Sequence, residues 1–390
     1  MKPSVSNITL ARHAESYRPL AASDRLHFAD AACLPLRFAD YSCSLCASAC
    51  PSRAIDLTAG GPRIQGECLG CGQCASACRT DALRVDGFAL PTEMTHDQQV
   101  ISVDCWRVSH QDSPAGSLRV PCLGGISKGW LLSLCERAGA KPIHLLDRGE
   151  CSFCPAGGGI PTLLATLTEV RTLLFQCGVE IEHLPAMTTQ PAKHPFSPSI
   201  PSTAGEQRID RRSFFRGLAG GIARGADALS ATGSMADAPI VLRDPITPVE
   251  PIRVATALAA IAARHGRPVP EQALPRLSLG NCSAHGICAK VCPTGALSRH
   301  EDGTQAELRF HAAKCIGCGQ CERTCPDRAL SYAPGGGTGG IETLARWPVR
   351  ICDQCGTSHF GNGGATCASC RKNQQLHQGM AALFGRSLPQ

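Results

Sequence analysis

One phrase, C-[PR]-x-x-A-[IL], occurs four times: CPSRAI (50–55), CRTDAL (78–83), CPTGAL (292–297) and CPDRAL (325–330). Each copy follows a cluster of cysteines, and the copies fall in two pairs, 43–83 and 282–330. A repeat of this kind constrains the fold first, because each copy must be one small structural unit used again. A unit this short cannot bury its own apolar face, whereas two related by a pseudo-twofold can. Each unit is expected to be a Cys-rich loop leading into a short helix near the phrase, with short strands on either side.

Two of the runs are regular. CLGCGQC…C carries Cys68, Cys71, Cys74 and Cys78, and CIGCGQC…CP carries Cys315, Cys318, Cys321 and Cys325. The spacing C-x2-C-x2-C-x3-C lets three thiolates wrap one face of an iron–sulfur cluster while the last cysteine reaches the neighbouring one. Glycines between the ligands allow φ > 0, so backbone N–H groups can face the sulfurs. Zinc, the alternative, would need two separate knuckles rather than an overlapping run. Cross-pairing then gives Cys50 as fourth partner of Cys68, Cys71 and Cys74, and Cys292 as fourth partner of Cys315, Cys318 and Cys321. These runs resemble the two-cluster bacterial ferredoxins, and the resemblance implies two [4Fe-4S] clusters in each pair.

The other two sites are irregular. In NCSAHGICAKVCP, Cys282 and Cys288 stand in register with Cys325 from the other half, but His285 occupies a cysteine position. Three thiolates can hold a [3Fe-4S] cluster, or a four-iron cluster with another ligand on the last iron. Imidazole at that iron would raise the potential; otherwise His285 faces solvent. In YSCSLCASACP, Cys43 and Cys46 join Cys78, and Asp40 stands where a first cysteine is expected. Cys33, ten residues before Cys43, is the preferred fourth ligand over Asp40, because soft thiolate suits such iron better than carboxylate. The alternative is a buried structural Cys33. Arg79 replaces the proline that follows the cysteine in the other copies, which is expected to loosen that turn.

The chain has 390 residues and 25 cysteines, but only 4% aromatics. Disulfide scaffolds are short and secreted. The N-terminal MKPSVSNITLARHAES has no apolar segment of a secretory signal, and no apolar run is long enough to span a bilayer. A cytoplasmic, metal-binding chain is therefore expected. The formal charge of +6 comes without a long basic run, so a nucleic-acid partner is not expected.

Residues 97–187 change character. VISVDCW (100–106), LRVPCLG (118–124) and PIHLLDRG (142–149) read as strands, and SKGWLLSLCERAGA (127–140) and IPTLLATLTEVRTLLFQCG (160–178) as helices. Alternating strand and helix predicts a small α/β layer. Cys105, Cys122, Cys151 and Cys154 fall at the C-terminal ends of strands, where ligand sites gather. They could hold another iron–sulfur cluster, hold zinc, or remain free thiols. Cys135 and Cys177 lie inside helices and read as core. The order CW…VPCLGG…CERAGA…CSFC resembles the delta subunit of methyl-viologen-reducing hydrogenase, which carries electrons to heterodisulfide reductase. That likeness implies a two-iron cluster on Cys105, Cys122, Cys151 and Cys154. The family's further cysteine and its His-Tyr after the last motif are absent here.

A Pro/Ser/Thr-rich stretch follows, then DRRSFFRGLAGG (210–221). The latter resembles a twin-arginine export signal but lies far inside the chain, so a docking helix through Phe214, Phe215 and Leu218 is preferred. PIRVATALAAIAARHG (251–266) reads as an amphipathic helix. The tail holds ICDQCG…TCASC, with Cys352, Cys355, Cys367 and Cys370 spaced C-x2-C-x11-C-x2-C. Two knuckles of this kind fit a structural zinc ribbon, with a rubredoxin-like iron site as runner-up.

The expected fold is a multidomain α+β chain, with two two-cluster ferredoxin-like modules flanking a small α/β domain and a four-cysteine ribbon tail. Its divisions are 28–95, the first module; 97–187, the Cys-bearing α/β domain; 188–250, a linker with a short helix; 251–278, a helix; 279–335, the second module; and 350–372, the ribbon. No nucleophile–base pair or dinucleotide fingerprint stands out, and GGGTGG (335–340) reads as a flexible turn. The chain resembles multi-cluster electron-transfer subunits that sit beside formate dehydrogenases, hydrogenases or similar reductases. That resemblance implies a redox partner rather than a substrate of its own. A redox sensor or scaffold and a metalloenzyme maturation factor are the other readings.

Overall fold

The first module is built from fragments of secondary structure, because each cysteine run leaves only a few residues free to pair. The computed structural model describes residues 25–38, 40–57, 61–92, 99–156, 159–194, 244–360 and 364–384. The twin-arginine-like motif, with Phe214, Phe215 and Leu218, lies outside the described residues. The first module contains β1 (Leu26–Phe28), α1 (Leu34–Arg37), α2 (Leu45–Ser48), β2 (Ile55–Asp56), β3 (Arg63–Ile64), α3 (Gln73–Ser76) and β4 (Leu83–Val85). β1 pairs antiparallel with β4, Leu26 opposite Val85, and β2 with β3, Ile55 opposite Ile64. Leu83 and Val85 turn inward while Arg84 faces out, the period of a half-buried strand. The buried set is small: Leu26, Ile55, Cys74, Leu83 and Val85.

The middle segment is an α/β layer. Its parallel sheet has the order β6-β5-β7-β8, with β5 (Ile101–Cys105), β6 (Leu118–Val120), β7 (Ile143–Asp147) and β8 (Ala186–Thr189). β8 adds a fourth strand where a linker was expected to begin. α4 (Lys128–Ala138) starts at Ser127, whose hydroxyl accepts the Trp130 N–H at 3.2 Å, a standard N-cap. α5 is Gly159–Gln176. Cys135 and Cys177 pack in this core. So do Val254, Ala257, Leu258 and Ile261 of α6 (Val249–Arg264). The helix that reads in sequence as a prelude to the second module thus buries its apolar face in the middle segment. Glu250 fixes it there: its carboxylate accepts the Gly129 N–H at 2.6 Å and the Ser127 hydroxyl at 2.9 Å, while its own N–H donates to Asp81 at 3.1 Å. A carboxylate at the start of α4 also meets the positive end of that helix.

The second module is larger. β9 (Pro275–Leu279) precedes α7 (Ile287–Val291), β10 (Leu297–Glu301), β11 (Gln305–His311), α8 (Gln320–Arg323), β12 (Leu330–Gly336) and β13 (Ile341–Ile351). β9 pairs with β12, while β10, β11, β13 and β14 (Ser358–Phe360) form an antiparallel sheet. Ala306, Leu308 and Phe310 alternate inward on β11 and meet Leu297 and Trp347. β13 carries this sheet into the tail, which ends in α9 (Ala368–Phe384). GGGTGG, expected as a flexible turn, starts inside β12, where Gly336 pairs with Pro275 of β9, and Gly337 donates its N–H to Leu274 O at 3.0 Å. Among the described residues no helix is long and apolar enough to cross a membrane.

Candidate metal centres

The repeated phrase is a turn, and the short helix lies just upstream of it. Each of α2, α3, α7 and α8 stops before the phrase begins. In all four copies the third residue after the cysteine is left-handed: Arg53 at φ 52°, Asp81 at 53°, Gly295 at 64° and Arg328 at 50°. Such φ values cost a non-glycine residue about 1–2 kcal/mol, so something must repay them. The turn aims backbone N–H groups at sulfur. Ala54 donates to Cys50 Sγ and Ala329 to Cys325 Sγ, both at 3.3 Å, and Leu297 to Cys292 Sγ at 3.4 Å. N–H donors stabilise charge on sulfur, which suits thiolate ligands.

In the first module the structure gathers two sets of four. Cys50, Cys68, Cys71 and Cys74 line one cavity, with Leu26, Ile55 and Val85. Cys33, Cys43, Cys46 and Cys78 line another, with Leu34, Pro35 and Tyr41. Asp40 is exposed and does not line it. Burial pushes the Cys33 thiol up to about 12, with the neighbouring charges of Cys78, Cys46 and Cys43 adding to the effect. Burial likewise pushes Cys46 and Cys71 up to about 11. Cys74 is raised by burial and then by Cys71, Cys68, Cys50 and Cys46, and it is buried in the core against which cysteines of both sets pack. Thiols this high stay protonated unless a cation meets them, and iron is such a cation.

The second module repeats the pattern with one corner changed. Cys292, Cys315, Cys318 and Cys321 act on one another, and burial pushes Cys321 up to about 12 and Cys315 up to about 11. Cys282, Cys288 and Cys325 form the other set. His285 Nδ1 lies 3.4 Å from Asp327 Oδ2, two residues after Cys325. That carboxylate also accepts the Ser283 N–H at 2.7 Å, which holds Asp327 below the usual carboxylate range.

The middle segment brings Cys105, Cys122, Cys151 and Cys154 to one cavity at the C-terminal edge of its sheet, with Arg107 and Arg148. Arg148 is held by Asp104, Nη2 to Oδ2 2.6 Å, and both side chains are buried. Arg107 is 7% exposed, and its Nε has no hydrogen-bond partner. A buried guanidinium with an unpartnered Nε at a four-cysteine cavity suits anionic charge there, such as metal-bound thiolates supply. Burial pushes Cys105 up to about 11 and Cys151 up to about 12. This cavity abuts the first module. Cys71 acts on Cys122, and the Gln73 amide donates to Ala156 O at 3.4 Å. A side chain at Gly125 would strike the Cys71 carbonyl, so glycine is required for this approach.

The tail differs in kind. Cys352, Cys355, Cys367 and Cys370 have sulfurs all within 4.8 Å of one another. Sulfurs bound tetrahedrally at about 2.3 Å from one zinc stand about 3.8 Å apart, and Cys355 Sγ lies 3.8 Å from Cys367 Sγ. Among the described residues no other cysteine set converges so closely; the rest are spread too widely for one ion. The Cys367 N–H donates to Cys352 Sγ at 3.3 Å and pulls that thiol down to about 6.

Sequence reasoning did not foresee Arg107, Gln73, Tyr41 or the left-handed turn residue. Gly295 was the one visible hint of that turn. The comparisons agree with the cysteine geometry at two places. The chain matches the 4Fe-4S dicluster domain over residues 280–329 and the 4Fe-4S binding domain over residues 63–84. No curated protein matches it. The middle quartet and the tail lie outside both matches. The chain therefore carries two ferredoxin-type iron–sulfur domains, one in each half of its repeat.

Proposed function

We propose that this protein is an iron–sulfur electron carrier that passes single electrons between protein partners. The observation that carries this reading is the grouping of half-buried and buried cysteines into sets too wide for one ion, inside two ferredoxin-type domains. Cys50, Cys68, Cys71 and Cys74 would hold one four-iron cluster, and Cys292, Cys315, Cys318 and Cys321 another. Cys33, Cys43, Cys46 and Cys78 would hold a third, with Cys33 as the cysteine that completes it. Cys282, Cys288 and Cys325 would hold a three-iron cluster or a four-iron cluster with a non-cysteine ligand. Cys105, Cys122, Cys151 and Cys154 would hold a further iron–sulfur cluster, charge-matched by Arg107. Cys352, Cys355, Cys367 and Cys370 would hold zinc and keep β13 and β14 in place.

Iron–sulfur clusters supply one-electron chemistry. The polypeptide sets each potential through N–H···S bonds, burial and ligand identity. The irregular site in each pair differs from its regular neighbour in one of these respects. Partners of this kind include redox subunits of larger oxidoreductases, such as those of formate dehydrogenase, hydrogenase or heterodisulfide reductase type, in the cytoplasm. The test is iron, sulfide and zinc per chain in anaerobically purified protein, with EPR of the reduced form. About sixteen irons in the two modules, further iron from the middle quartet and one zinc are expected. Zinc without iron would overturn the reading.

A further inference from the structure

Each of the five candidate cluster sites has an evident neighbour. The middle quartet abuts the regular site of the first module: Gly125, close after Cys122, lies against the Cys71 carbonyl, and the Gln73 amide beside Cys74 donates to Ala156 O at 3.4 Å. That site shares one small core with its irregular partner, where Cys46, Cys50, Cys68 and Cys78 pack against the apolar cluster containing Cys74. The two sites of the second module share one cysteine run, with Cys325 beyond Cys321. What remains is how one module reaches the other, which the repeat alone does not specify.

The contact between modules is made by ligand-bearing loops. Arg79, next to Cys78, donates from Nη1 to the Gly317 carbonyl at 3.2 Å. Gly317 is next to Cys318. The Arg323 guanidinium stacks over the Tyr41 ring at 4.8 Å, a cation–π contact across the same seam. Tyr41 also lines the cavity of Cys33, Cys43, Cys46 and Cys78. Tyr332 closes the other side: a side chain on Gly317, at φ +62°, would meet its hydroxyl at 2.7 Å. Two hydrogen bonds anchor the segment at 244–246. Arg37 donates to Asp244 O and the Ile246 N–H to Pro293 O, both at 2.7 Å. Proline follows the cysteine in the other three copies of the phrase. A proline at 79 could not make this bond. The one phrase that lacks the proline thus lies where cysteine loops of the two modules meet among the described residues.

We propose that electrons cross between the modules at Cys78–Arg79···Gly317–Cys318, so that the five sites form one ordered path. It runs from the middle quartet, through the regular and irregular sites of the first module, to the regular and then the His285 site of the second. The path has two ends, and outside partners meet it there. This rests on the electron-carrier reading. In the crossing, one electron leaves the reduced site at Cys78, which is oxidised by one equivalent. The site at Cys318 is reduced by one equivalent, with no proton moved and no bond made or broken. The first electron comes from an external low-potential one-electron reductant. Arg79 is a positioning residue: it fixes the approach of the two loops and places a cation between two anionic centres.

The test uses the full-length, iron-loaded protein, reduced by a sub-stoichiometric flash of photogenerated deazaflavin radical. Redistribution among sites is followed by rapid-freeze EPR. A first-order phase between modules, independent of protein concentration, is expected. Arg79→Met should slow it by about tenfold, and Arg79→Pro likewise, with iron and sulfide per chain unchanged. Arg79→Lys, which keeps the charge and a donor, should restore most of the rate; a merely loosened loop would gain nothing from it. Arg79 is exposed, so these variants are expected to fold. An unchanged rate in fully loaded Arg79→Met, or no inter-module phase in the loaded wild-type protein, would overturn the proposal and leave the carrier reading standing. Protein without iron would overturn both.

Discussion

The two modules carry the same repeat but solve its two difficulties differently. In the first, the corner missing from the cysteine run is met by Cys33, which enters the cavity from outside the run. In the second, His285 stands at the corner and pairs with Asp327. Their cores differ as well. The first buries little beyond Leu26, Ile55, Leu83 and Val85 and leans on the middle segment through Trp130, whose indole N–H donates to Phe88 O at 2.7 Å. The second has a sheet behind it, with Leu308, Phe310 and Trp347 buried. A small domain without enough apolar surface needs a metal or a neighbour to fold. The first module uses both, and the second needs them less.

Removing the metal should expose this contrast most strongly. Anaerobic chelation of iron is expected to abolish amide-exchange protection across 26–90, while β11 and β13 keep theirs; equal loss in both modules would contradict it. The next effect comes from the neighbour. Asp104→Ala leaves Arg148 buried without its partner and should cost about 3–5 kcal/mol. Denaturant unfolding of the middle segment would measure this, and cluster loss should follow in the first module and not in the second. Smaller still is the corner itself. Cys33→Ala should convert one four-iron site to a three-iron EPR signal, a loss of about one iron per chain. His285→Ala should leave the iron count as it is; loss of iron there would place imidazole on the cluster. The least effect concerns the ribbon. Arg299 stacks on Phe360 of β14 at 4.5 Å. Arg299→Met should therefore cost about 0.5–1 kcal/mol, seen as earlier loss of protection at β14.

Much of the chemistry was legible in the sequence because ligand spacing is a local property. C-x2-C-x2-C-x3-C and its glycines fix a loop whatever surrounds it, and Gly70, Gly72, Gly317 and Gly319 all take positive φ. The strand–helix order of 101–176 was equally readable from its periodicity. The phrase after each cysteine run was harder, since Arg53, Asp81 and Arg328 give no sign of the left-handed turn they adopt.

By itself, then, the sequence determined which cysteines lie close along the chain, the two-fold repeat and the α/β character of the middle. Tertiary structure decided what depends on residues far apart. α6 joins the middle core rather than the second module, because its apolar face finds Leu131 and Leu134 of α4. Cys33 joins the cavity of Cys43, Cys46 and Cys78 although it stands outside their run. Arg79 becomes a bridge only because Gly317 lies opposite it. Spacing is written in the order of residues, while contact between distant loops is fixed by which surfaces bury one another.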